Sequence, residues 1–193
     1  MRSSATRWPI LAISVACTAL ALSSQGLIAR WNGDFLQVTP INLHFLTGKA
    51  LDRLHDGASV PFAFQLSLYP IPRTVQYQRS LARFIISYDL WTERFKVVQL
   101  GATRKAVANL APGAAETWCV SQMGLPVAGI RADTDLLLRL DIRAEDSPPR
   151  SPVVSETGFS LSSLIKVFSE MPRSAAQEWN AETAPFRLNS LRQ

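Results

Sequence analysis

Leu136-Leu137-Leu138-Arg139-Leu140-Asp141-Ile142-Arg143 carries the clearest period in the chain. Leu136, Leu138, Leu140 and Ile142 fall on one side, and Leu137, Arg139, Asp141 and Arg143 on the other. Successive side chains of a strand point to opposite faces, so the alternation predicts a strand with one apolar face. Antiparallel sheets leave that pattern. Parallel sheets, covered on both sides, read instead as unbroken apolar runs.

The same period recurs upstream. In residues 60–69, Phe62, Phe64, Leu66 and Leu68 alternate with Ala63, Gln65 and Ser67, until Pro70 and Pro72 end the run. Residues 75–90 form a longer stretch in which Ala82, Phe84, Ile86 and Tyr88 share a side. Residues 95–100 form the next, across the polar connection Asp89-Leu90-Trp91-Thr92-Glu93-Arg94. Two apolar runs joined by so short a link predict a hairpin. Residues 35–45 look extended, with Pro40 marking an edge or a break. Leu46, Ala50, Leu51 and Leu54 recur at helical spacing before Gly57, predicting a helix over residues 47–56. Pro112 and Gly113 open a second helix, with Ala115, Trp118, Cys119 and Met123 on one face and Gly124 as its cap. Residues 147–152 read as a loop. Leu161, Leu164, Ile165 and Phe168 predict a third helix over residues 160–169. Consecutive strands favour antiparallel pairing, and strand and helix do not alternate regularly. The predicted fold class is therefore α+β, an antiparallel β-sheet covered on one face by two or three short helices.

The chain has 193 residues, 47% hydrophobic and 18% charged, too apolar for a disordered polymer and long enough for one domain. Residues 8–29 carry no charge, between Arg7 and Arg30. Small residues at Ala19 and Ala21 and the polar Ser23-Ser24-Gln25-Gly26 predict a signal peptide, residues 1–21, cut after Ala21. The rival is an uncleaved membrane anchor over residues 8–29, since 22 residues of helix span roughly 33 Å. Arg2 and Arg7 would then stay cytoplasmic. Either way the domain is exported, to a periplasmic or secreted location or outside an inner-membrane anchor. A lipidated Cys17 would need an aliphatic residue where Ser14 stands. The remaining chain divides into a linker at 22–34, the domain at 35–169 and a polar tail at 170–193. Cys17 lies in the leader, so a processed chain keeps only Cys119 and no internal disulfide. Basic residues number 20 against 15 acidic, and beyond Arg2 and Arg7 of the leader they are dispersed from Arg30 to Arg192 rather than clustered, which argues against a nucleic-acid partner.

Ala50-Leu51-Asp52-Arg53-Leu54 with Gly57 and Val60-Pro61-Phe62 resembles the start of an exported bacterial family, domain of unknown function family 4390. Ile86-Ser87-Tyr88-Asp89, Arg94-Phe95-Lys96-Val97, Leu137-Leu138-Arg139-Leu140-Asp141 and Leu161-Ser162-Ser163 continue the resemblance. Pro70-Ile71-Pro72-Arg73 stands where that family has a tryptophan-rich segment. The resemblance implies export and a compact mixed domain, and brings no catalytic residues.

No phosphate loop, nucleophile elbow or zinc helix is present, so neither a catalytic set nor a cofactor is expected. His44 and His55 could share a metal with Asp52 or Asp56, but metal sites usually gather three or four ligands, and none is expected here. Cys119 reads as a buried hydrophobe. Asp89 and Glu93 read as solvated acids of a turn, because nothing places them across a cleft. Asp133, Asp135 and Asp141 match no calcium loop. Among Trp31, Trp91 and Trp179, Trp91 stands at the hairpin tip and is a candidate partner contact, although folding back onto the sheet is the expectation there. Arg79 and Arg83 share a strand face and could meet an acidic partner, with solvation the simpler reading.

The expected function is that of a non-enzymatic envelope protein that binds a protein partner. The alternative is a small apolar ligand or lipid carrier, with Phe62, Phe64, Phe84 and Ile86 lining a cavity between sheet and helices.

Overall fold

The computed structural model describes residues 26–145 and 177–191. The strands are β1 (Gly26–Asn32), β2 (Phe35–Ile41), β3 (Val60–Pro70), β4 (Gln78–Asp89), β5 (Arg94–Leu100), β6 (Lys105–Leu110), β7 (Gly124–Pro126), β8 (Leu136–Ala144) and β9 (Glu178–Thr183). Two α-helices, α1 (Gly48–His55) and α2 (Pro112–Ser121), and a 3-10 turn at Leu188–Leu191 complete the set. The fold is α+β. One sheet runs β6-β5-β4-β3-β8-β9-β1-β2-β7, antiparallel throughout except where β1 meets β9. The expected third helix and the loop at residues 147–152 lie outside the described residues.

β3 and β8 are the middle of the sheet. Leu66 pairs with Leu140 and Phe64 with Ile142, and on the other side Phe62 pairs with Phe84. The alternation places Val60, Phe62, Phe64, Leu66 and Leu68 on one face with no exposed surface. The sheet is rolled rather than flat: α2 packs against both β2 and β5, while β7 reaches β3 and β4. Inside the roll, Phe45 meets Phe62 and Phe64 edge-on, each at 5.3 Å, and Phe64 meets Phe84 at 4.8 Å. Such perpendicular ring pairs add about 0.5–1.5 kcal/mol beyond their buried area. Ala50 and Leu54 of α1, and Ala115, Cys119 and Val120 of α2, join the same core.

On the opposite face, arginines of neighbouring strands flank the small residues of β3. Ala63 lies between Arg83 and Arg143, and Ser67 between Arg79 and Arg139. Acids answer most of these cations. Arg143 pairs with Glu178 at 3.1 Å, and Arg139 with Asp141 at 2.9 Å and Glu182 at 3.5 Å. Arg83 pairs with Glu145, both buried.

Several expectations are corrected. Residues assigned to a linker form β1, with Leu27 and Ala29 buried. Residues assigned to a polar tail form β9, inserted between β8 and β1. Val75, Gln76 and Tyr77 precede β4 instead of belonging to it. Gly124 does not cap α2, which ends at Gln122; it opens β7. A Cβ added at Gly124 would lie 3.4 Å from the Leu36 carbonyl oxygen, in ordinary contact with β2. Gly57, with φ 82°, does close α1 as expected.

Candidate functional site

The β4–β5 hairpin turn is built around one carboxylate. Asp89 Oδ1 accepts hydrogen bonds from the backbone N–H groups of Trp91, at 2.9 Å, and Thr92, at 3.3 Å. Those bonds hold the Asp89 carboxyl below its usual range. Glu93 then takes φ 53°, the left-handed conformation that returns the chain to β5. Tyr88 stacks on Phe95 at 4.9 Å and on His55 at 4.6 Å.

Trp91 does not fold inward over these rings, and the expectation that it does so is corrected. Its side chain is 97% exposed, and Leu90 beside it is 58% exposed. The turn's backbone is held by hydrogen bonds, and the indole it carries is an exposed apolar surface. The other two candidate contacts do not join it. Arg83 is buried against Glu145, and Arg79 is exposed near the other end of β4. Trp31 and Trp179 are half-buried. Trp179 meets Phe45 edge-on and Phe62 at a tilt, and Trp31 donates its indole N–H to the Gly33 carbonyl.

Beside the turn lies an open groove of ≈ 420 Å³, lined among others by Ser87, Thr92, Arg94, Lys96 and Asn109. Asp89 is the one carboxylate in its lining. A second depression of ≈ 270 Å³ lies at the opposite end of β4, between Tyr77, Gln78, Ile130 and Arg131.

The remaining candidates take structural places. His44 contacts Glu116 at 3.0 Å, whereas His55 stacks on Tyr88. Asp133 pairs with Arg131, Asp135 with Arg187 and Asp141 with Arg139. Cys119 is fully buried, and burial together with the Glu116 carboxylate pushes its thiol far above the ordinary value. Phe62, Phe64, Phe84 and Ile86 are fully buried in the packed ring cluster rather than along an open cavity.

Sequence reasoning missed Glu116. This carboxylate is 3% exposed on α2, and its Oε1 accepts the N–H groups of Phe45 and Leu46 at 2.8 and 2.9 Å. It ties α2 to the segment that enters α1. The available signal was a glutamate at the helical spacing of the buried face, between Ala115 and Cys119. Gln177 was missed as well. Its Oε1 accepts the Ala50 N–H and its Nε2 donates to the Thr47 carbonyl, serving the start of α1 in place of a side-chain cap.

No family model, no curated protein and no solved structure matches this chain. The fold and the hairpin define it as an α+β domain with an exposed aromatic tip. Among the described residues, no helix is long and apolar enough to cross a membrane.

Proposed function

We propose that the chain is an exported envelope protein of the family it resembles, family 4390, and that its domain works by binding a protein partner rather than by catalysis. The observation that carries this reading is Trp91, 97% exposed on a turn fixed by Asp89. Leaving a large indole in water forgoes a few kcal/mol that burial would return. Aromatic anchors of this kind dominate the energetics of protein interfaces. Export is supported by the uncharged leader. A cut after Ala21 would leave four residues ahead of β1. An anchor over residues 8–29 would have to give up Gly26, Leu27, Ile28 and Ala29 to the sheet.

A photo-crosslinking residue in place of Trp91, in the protein expressed at its natural level, tests the reading. A discrete adduct in the envelope fraction is expected from position 91 and not from position 79. Equal labelling at both positions, or none at 91, overturns it. A carboxy-terminal reporter active only in the cytosol checks export and is expected to stay silent.

A further inference from the structure

The exposed tip adjoins an unfinished sheet edge. Among the described residues β6 is the end strand, and Lys105, Ala106, Ala108 and Asn109 are all exposed. An end strand offers a row of backbone N–H and C=O groups to which another strand can add. The ladder between β5 and β6 also shifts register: Val107 pairs with Val97 and Leu110 with Phe95, so Ala108 and Asn109 together face Lys96. Asn109 has φ 62°. This is a bulge, and it opens β6 where the groove beside Trp91 begins.

The groove is cationic. Arg94 and Lys96 are exposed, and among the described residues neither has an ion-pair partner. Its single carboxylate, Asp89, is already engaged by two backbone N–H groups. Between Lys96 and the sheet edge stand only the short side chains of Ala108 and Asn109 on the exposed strand. A strand added to β6 would lie about 10 Å from β5, since neighbouring strands sit about 4.8 Å apart. Arg or Lys from one side and Glu from the other close that gap.

From this geometry we infer that the partner presents an acidic, extended segment, which adds along β6 as a further strand with its carboxylates over Arg94 and Lys96, next to Trp91. The inference rests on the partner-binding reading above. An anionic lipid surface would also meet the cations and the exposed Leu90-Trp91 tip. It would leave the open backbone of β6 and the adjoining bulge without a use, so the peptide is favoured.

The probe is the blocked peptide (Glu-Val)4, added to the full-length protein, with amide exchange followed over residues 105–110. Exchange there is expected to slow, and (Lys-Val)4 is expected to have no effect. Arg94→Glu with Lys96→Glu should weaken the acidic peptide at least tenfold and confer binding of (Lys-Val)4, while thermal stability stays near that of the parent. Unchanged exchange in β6, or acidic-peptide binding that survives the charge reversal, overturns the proposal. Phosphatidylglycerol vesicles that protect residues 90–92 while β6 stays open would assign the tip to lipid and overturn it too. Crosslinking from position 91 separates the two levels. An adduct there without protection of β6 leaves partner binding standing and removes only the acidic strand.

Discussion

Asp89 shows how one side chain sets the presentation of another. Its carboxylate is exposed, yet the N–H groups of Trp91 and Thr92 stabilise the charged form. Its folded-state pKa lies below the unfolded value of about 3.9. The turn's stabilisation is thus complete above that pH and is lost as pH falls through the lower folded value. The amide resonances of Trp91 and Thr92 are expected to titrate together with a midpoint below about 3.9, and Asp89→Asn should abolish the titration. A midpoint at or above the ordinary carboxylate value would show that the turn does not depend on this charge. The burial of Glu116 is a second single-residue effect, and its sequence context hid it. A glutamate in a short helix reads as solvent-facing until the backbone donors of Phe45 and Leu46 are seen to end on it.

At the scale of elements, the sheet's polar face is stitched together by ion pairs, and the most buried joins Arg83 of β4 to Glu145 just beyond β8. Burial outweighs the neighbouring guanidinium and leaves the Glu145 carboxyl above its usual pKa. Arg83→Met strands that acid and is expected to cost about 3–5 kcal/mol in urea denaturation. Adding Glu145→Leu should recover much of the loss, and strictly additive costs would argue against coupling. Alternation made β3, β4, β5 and β8 legible because their inward residues are Leu, Ile, Val and Phe. β9 turns Trp179, Ala181 and Thr183 inward and Glu178, Asn180 and Glu182 outward, so its period carries little hydrophobic contrast. Its acids make sense only against Arg73, Arg139 and Arg143, far away in sequence. β1 was hidden for the opposite reason, since Leu27, Ile28 and Ala29 merge with the apolar leader. Of the candidate site, the hairpin and its tryptophan were legible. The outward turn of Trp91 was not, because Tyr88 packs with Phe95 and His55 rather than with the indole, contacts that join residues distant in sequence.

For the whole molecule, the sheet depends on its smallest interior strand. β9 pairs with Arg139, Leu140, Asp141, Ile142 and Arg143 of β8 on one side, and with Gly26 and Leu27 of β1 on the other. Through it, β1, β2 and β7 join the ladder that contains β3 and β4. Deleting residues 177–193 removes that strand along with Gln177, which serves the start of α1. Loss of the cooperative thermal transition is the expected result, read by near-ultraviolet circular dichroism. A truncated chain that still melted sharply would mean the two halves of the sheet stand without it. The placement of β9 also orders events during biosynthesis. Strands β1 to β8 all leave the ribosome ahead of it, so the two halves of the sheet cannot join until residues 178–183 have followed.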